Sequence, residues 1–395
     1  MVTRIVFGLI FILLIFLVAI PLGLRWAGFD IFSFSASTGT TTQKKPSEQS
    51  FGILARSENE GRNWKNAAIS ENPAIPFPGV IFSFVMHPND ANVLYIGSKG
   101  SGLWRSMNGG RTWNRAVDGG RVLDSSADVY DVEIAKKTPN IFYTAVFQKD
   151  HGRVLKSEDG GATWREVYAT SALKTGVFDI SVDPFNTDHI LIATGENGLF
   201  ESNNGGETWR VKKWFTEPLV KIIVNPRNAK ELYLITSAGN ILKSVTGGTQ
   251  WGNLSGKEAE EEGVSGVAIE QFPQGIFGFF GQNSAVSARK IFFLDPTDPS
   301  RIYLSSSDGL LRSVDSGLTW KQLNLLLPKQ LLPVTAIAIN PSDSEIIYAG
   351  AGSEIHKSVD GGVTWSVMHL SEGIRVMGLI IHPQNPDIMF SILSK

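Results

Sequence analysis

The chain of 395 residues contains no cysteine. That excludes disulfides, thiolate metal sites, a cysteine nucleophile and a lipid-bearing cysteine anchor. Charge is also scarce, at 19% of residues and a formal net charge of −2, so there is no electrostatic footprint for nucleic acid and none is expected as a partner. Histidine is sparse. His87 and His382 stand before turn prolines where sister segments carry Asp or Asn, and His151, His189, His356 and His369 show no ligand spacing. With no phosphate-cradling glycine loop either, neither metal nor cofactor is expected. What the chain does have is 40 Gly, 23 Phe and 10 Trp, a mixture that fits a β-rich protein.

One long apolar run stands apart. Ile5 to Leu24 is interrupted only by Gly8, Pro21 and Gly23, with Arg4 before it and Arg25-Trp26 after it. At about 1.5 Å per helical residue it spans roughly 30 Å, the thickness of a bilayer core. A cleaved signal peptide usually has a shorter apolar region, of about 7–15 residues, so residues 1–32 read as an uncleaved, single-pass transmembrane signal-anchor. Its N-terminus is expected in the cytoplasm and the remainder outside it. Residues 33–50, rich in Ser and Thr, read as a tether. Residues 51–395 are uniform in composition and read as one folded unit.

That unit is repetitive. Octets of the form Ser-x-Asp/Asn-x-Gly-x-Thr-Trp recur at Ser57–Trp64, Ser106–Trp113, Ser157–Trp164, Ser202–Trp209, Ser244–Trp251, Ser313–Trp320 and Ser358–Trp365. Each position has a physical task. Asn59, Asn108, Asp159, Asn204, Asp315 and Asp360 have short side chains that bond turn amides, and Thr246 takes that position in the fifth copy. The glycine supplies positive φ for a tight hairpin. Trp64, Trp113, Trp164, Trp209, Trp251, Trp320 and Trp365 each offer roughly 150–250 Å² for burial, about 4–6 kcal/mol gross at ~25 cal/mol/Å². They read as core, and the hairpin with Thr246 and Gln250 as the weakest.

A second element precedes most octets: an apolar run, a Pro turn and another apolar run, as in Phe84–Pro88 then Val93–Gly97, or Ile180–Pro184 then Ile190–Thr194. Counted back from the proline, the second and fourth residues are apolar in every copy, the period-2 signature of buried strands. Four strands, A to D, per roughly 45 residues make a propeller blade. The chain begins with strands C and D (51–67) and ends with A and B (374–393), which complete one blade and bring the count to seven. The gap of 69 residues between Trp251 and Trp320 requires an insertion at about 255–287. The inner strand of the sixth blade falls at either 264–270 or 288–294. The expected fold is all-β: a seven-bladed propeller of four-stranded antiparallel blades behind an N-terminal transmembrane helix.

The octets resemble the Asp-box, or BNR-like, repeat over about residues 51–395. Propellers of that kind occur in sialidases, xyloglucanase-type glycoside hydrolases, sortilin-type receptors and photosystem II assembly-factor-like proteins. The Phe-Arg-Ile-Pro segment of sialidases is absent, as are the cysteine-rich module and C-terminal membrane helix of sortilin-type receptors. Xyloglucanase-type enzymes pair two large propellers, whereas this chain has one. The assembly-factor-like group resembles it best in size and single-propeller architecture.

Ligands are expected at the face carrying the D–A and B–C loops, where Arg121 and the Phe277, Phe279 and Phe280 of the insertion stand. On successive inner strands Ser83, Asp131, Asp179 and Lys221 fall at matching positions, and Glu133 follows Asp131 on the same strand face. Asp179 and Lys221 are expected to neutralise each other between neighbouring blades. The resulting expectation is a non-catalytic scaffold or assembly factor, binding a protein or glycan, with a membrane-protein client included. The alternative is a membrane-tethered glycoside hydrolase, sialidase or xyloglucanase-like, in which Asp131, Glu133 and Asp179 are the acids.

Overall fold

A computed structural model describes residues 52–254, 291–306, 309–325, 327–371 and 373–395. The signal-anchor, the tether and the insertion with Phe277, Phe279 and Phe280 lie outside the described residues. Among the described residues no helix is long and apolar enough to cross a membrane.

Seven four-stranded antiparallel sheets make up the fold. Blade 1 joins the two ends of the described chain. Its outer strands are Leu54–Ser57 and Lys65–Asn66, its inner ones Arg375–Ile381 and Met389–Ser394. Leu54, Ala55, Arg56 and Ser57 pair with Ile392, Ser391, Phe390 and Met389 to close the ring. The inner strands of blades 2 to 7 are Ile81–Met86, Asp128–Ile134, Val177–Val182, Leu219–Asn225, Phe292–Leu294 and Ala336–Asn340. In blade 6, Phe292–Leu294 pairs with Ile302–Ser306, so the later of the two alternatives supplies that strand.

The octets fold alike because one hydroxyl organises each turn. Ser57, Ser106, Ser157, Ser202, Ser244, Ser313 and Ser358 accept the amide four residues on, at 2.8–2.9 Å. The Asp or Asn Oδ1, or Thr246 Oγ1 in blade 5, accepts the amide before the tryptophan at 2.8–3.0 Å. The glycines that donate these amides to the serine hydroxyls all have φ between +74° and +92°, where a Cβ is strained. The tryptophans divide. Trp64, Trp113 and Trp164 are buried, and their Nε1 groups have no hydrogen-bond partner among the described residues. Trp209, Trp251, Trp320 and Trp365 are only half-buried, and each Nε1 donates to the carbonyl of the glycine three residues before it, that of Gly206, Gly248, Gly317 or Gly362. All seven tryptophans belong to the core as expected, three buried within it and four packed against it with one edge at the rim.

A further regularity lies on the two middle strands. Phe390–Arg56, Tyr95–Arg105, Tyr143–Lys156, Tyr233–Lys243, Tyr303–Arg312 and Tyr348–Lys357 face each other as cross-strand pairs. The lysines of the blade 3, 5 and 7 pairs lie 5.4–5.8 Å from their tyrosine ring centroids, within range of cation–π attraction. Blade 4 has Leu191 opposite Glu201 instead.

Candidate active site

A bulge shapes the inner strands. Register shifts occur between Ile81 and Ser83, Val129 and Asp131, Val177 and Asp179, and Leu219 and Lys221. The extra residue at each place is Phe82, Tyr130, Phe178 or Val220. A bulge bends its strand and re-aims the neighbouring side chains. Here the bulge residue and the polar residue after it both line one cavity of about 540 Å³ at the centre of the ring.

Ser83, Asp131, Asp179 and Lys221 are brought together there, with Glu133 among them. Each of the first three reaches the inner strand of the next blade. Ser83 Oγ accepts from the Val132 amide at 3.2 Å and donates to Asp131 Oδ1 at 3.2 Å. Asp131 Oδ2 accepts the Ile180 amide at 3.2 Å. Asp179 Oδ2 accepts the Ile222 amide at 2.7 Å, and its Oδ1 accepts from Lys221 Nζ, the cross-blade pair read from the sequence. Asp131 and Asp179 are 9% and 2% exposed. Buried charges of this kind persist only when hydrogen-bonded or paired.

Three carboxyls share one ammonium, so they do not all ionise easily. Burial pushes the Glu133 carboxyl up, and the neighbouring Asp131 pushes it further, to about 7, against the pull of Lys136 and Lys221. Burial would lower Lys221, but Asp179, Asp131 and Glu133 outweigh it and hold the ammonium protonated. Burial likewise pushes the Asp179 carboxyl well above the usual carboxylate range, against the pull of Lys221, so Glu133 and Asp179 both have raised proton affinity and Glu133 is brought to near neutral pH.

Arg121 is not part of this cluster. It sits exposed on the loop between blades 2 and 3 at φ +57°, and its side chain does not line the cavity. Residues that sequence reasoning missed are Phe82, Tyr130 and Phe178, each half-buried on the cavity wall. The signal was present: an aromatic–polar dipeptide, Phe82-Ser83, Tyr130-Asp131 and Phe178-Asp179, at one offset on three consecutive blades. Val220-Lys221, Thr335-Ala336 and Met377-Gly378 at the same offset lack the aromatic. Among the described residues no cluster of three or more His, Cys, Asp or Glu has the arrangement of a metal site.

No family model matches the chain. Among curated proteins it is similar to the oligoxyloglucan-reducing end-specific xyloglucanase of Emericella nidulans, 26% identical over 223 residues, which covers 50% of this chain and 26% of that protein. It is also similar to a xyloglucanase of Hypocrea jecorina, 25% identical over 292 residues, covering 69% and 29% of the two chains. The chain thus spans under a third of the length of these relatives. Among solved structures, a GH74 xyloglucanase from Xanthomonas campestris superposes with a TM-score of 0.60 at 15% identity, over 80% of this chain and 51% of that one. YCF48 from Cyanidioschyzon merolae superposes with a TM-score of 0.55 at 14% identity, over 79% and 95%. These structures share the propeller fold. The curated xyloglucanase relatives overturn the expectation of a non-catalytic scaffold and turn the reading to the hydrolase alternative.

Proposed function

We propose that the chain is a glycoside hydrolase acting on a β-glucan backbone of the xyloglucan kind, with the seven octets as Asp boxes of a hydrolase-type propeller. The observation that carries this reading is the pair Asp131 and Glu133 inside the central cavity of a chain whose curated relatives are xyloglucanases. The Cα atoms of residues i and i+2 of a strand are roughly 7 Å apart, with their side chains on one face. Two carboxyls at about 6.5–9.5 Å leave room for a water and suit inversion.

In this mechanism Glu133 is the general acid. Its carboxyl titrates at about 7, so a substantial fraction carries a proton at neutral pH. Asp131, oriented by Ser83 Oγ and the Ile180 amide, is the general base. Water attacks the anomeric carbon as Asp131 takes its proton. The glycosidic C–O bond breaks as Glu133 gives its proton to the departing oxygen. Asp179 is occupied by Lys221 and the Ile222 amide and stays out of the chemistry.

The test is reducing-sugar release from xyloglucan oligosaccharides and mixed-linkage glucan. Asp131→Asn and Glu133→Gln are each expected to lower kcat roughly 10²–10⁴-fold, with the β-linked substrate yielding the α-anomer first. A folded wild-type chain that cleaves no β-glucan, or cleavage indifferent to both substitutions, would overturn the assignment.

A further inference from the structure

We infer that a groove on the outer side of blade 2, lined by Arg105 and Arg115, is a second binding site, for the carboxylate of an acidic sugar. The groove shares no lining residue with the central cavity, and the inference does not draw on the hydrolase reading.

The groove comes from a departure of blade 2 from its sisters. The Trp113 amide donates to the Ile69 carbonyl at 2.9 Å, and the Glu71 amide donates to the Trp113 carbonyl at 2.9 Å. These two bonds lay the linker from blade 1 parallel to the start of the outer strand Asn114–Arg115. Among the described residues no other blade has an isolated bridge of this kind. The groove between linker and strand holds about 380 Å³, within the range of small-molecule pockets.

Both arginines are uncommitted, unlike the cations of neighbouring blades. In blades 1 and 3 the middle-strand cation is held by a glutamate two residues on, Arg56 by Glu58 and Lys156 by Glu158. Blade 2 keeps the cation as Arg105 but has Met107 where that glutamate stands. Arg105 is exposed, and its guanidinium stands beside the Tyr95 hydroxyl, whose own proton goes to the Gly160 carbonyl at 3.2 Å. Arg115 makes one long bond, to the Ser125 carbonyl at 3.5 Å. The outer-strand arginines of blades 3 and 4, Arg165 and Arg210, pair instead with Glu207 and Glu201. A guanidinium carries five N–H donors, so both forks keep donors free. No acid lines the groove. The linker's Glu71 turns its carboxylate to Thr112 and Asn114.

A guanidinium fork matches the two oxygens of a carboxylate. The same groove offers Ile75 and Ala116 to the C–H face of a pyranose, and Ser70 and Asn72 to its hydroxyls. A bare inorganic oxyanion would use the arginines alone.

The test is calorimetric titration of the full chain at low salt with methyl glucuronide, methyl glucoside and inorganic phosphate. The glucuronide is expected to bind at least tenfold more tightly than the other two. Arg105→Gln and Arg115→Gln should each raise its Kd roughly tenfold, the worth of one charged hydrogen bond, with the thermal midpoint unchanged. Met107→Glu supplies the carboxylate that blades 1 and 3 carry, and should weaken binding by engaging Arg105. A glucuronide that binds no better than the glucoside, or binding indifferent to both arginine substitutions, would overturn the site. Phosphate binding as tight as that of the glucuronide would overturn the sugar. None of these outcomes depends on β-glucan cleavage, so this inference and the hydrolase reading fail separately.

Discussion

Glu133 is the residue at which stability and chemistry oppose each other. Its carboxyl is raised from 4.5 to about 7 in the folded chain, first by burial and then by Asp131. A carboxyl raised by folding contributes stability that is fully present below its unfolded pKa, near 4.5, and lost as pH rises through about 7. The folded state thus holds an uncomfortable anion at pH 8. Glu133→Gln is expected to raise the thermal midpoint at pH 8 by an amount worth on the order of a few kcal/mol and to leave it unchanged at pH 4. Thermal melts at the two pH values check this, and equal shifts at both would mean that Glu133 is not the strained group. In sequence Glu133 was visible as the one acid in a row otherwise filled by Val85, Ser181, Ile223, Phe293, Ala338 and Ile380. Its proton affinity was not visible, because that depends on Asp131, Lys136 and Lys221 converging from more than one blade.

At the scale of the element, the octet hairpins that carry an aspartate, those of blades 3, 6 and 7, are small acid-sensitive devices. The Thr163 hydroxyl, then its amide and the Ser157 hydroxyl, hold the Asp159 carboxyl down at about 2. Thr364 and Ser358 do the same for Asp360. Depressed carboxyls contribute stability present above their unfolded pKa, about 3.8, and lost as pH falls through 2. Blade 5 lacks this arrangement. Thr246 Oγ1 accepts from the Gln250 amide at 2.9 Å and from Thr249 Oγ1 at 2.8 Å, and carries no charge. Thr246→Asp is expected to stabilise the chain at pH 7 by about 1 kcal/mol, as a capping side chain does, with the gain fading toward pH 2. Chemical denaturation at pH 7 and pH 2.5 measures it, and a gain that persists undiminished in acid would contradict the carboxylate account. These hairpins, the blade count and the closing blade were all legible in the sequence, because the octet pattern is local and repeats in frame. The bulges were not legible. Where a strand admits an extra residue is fixed by its partner, and only the paired register shows that Tyr130 and Asp131 both reach the cavity. The division of the tryptophans was hidden for a related reason: identical octets meet different neighbours at each seam.

Across the whole molecule, the ring is only as continuous as its seams. Six seams carry a side-chain link from the middle strands of one blade to the octet of the next. Arg56 Nε donates to the Gly109 carbonyl at 2.8 Å, Tyr95 to Gly160 at 3.2 Å and Tyr143 to Gly205 at 3.1 Å. Lys243 donates to Ser316 at 2.8 Å, Arg312 to Gly361 at 2.7 Å, and Lys357 to Glu60 Oε2 at 2.6 Å, which closes the circle. The seam between blades 4 and 5 has no such link among the described residues, because Leu191 and Glu201 occupy the linking positions. Glu201 turns instead to its own blade. Burial alone would raise its carboxyl, but hydrogen bonds from Lys212, Arg210 and His189 bring it down to about 2. What joins blades 4 and 5 by polar contact is the inner edge, where Asp179 receives Lys221 Nζ and the Ile222 amide. Polar links on one edge only leave the outer edge to packing, and regions of lower local stability open first. Native-state hydrogen exchange is therefore expected to be fastest, among the ring's middle strands, at Ile190–Thr194 and its neighbour Leu232–Thr236. Lys221→Met should accelerate exchange there at least tenfold while leaving the seam of Arg56 and Gly109 unchanged, since each 1.4 kcal/mol of lost local stability is a factor of ten. Uniform exchange around the ring in both proteins would mean that packing, not these links, sets how the propeller opens.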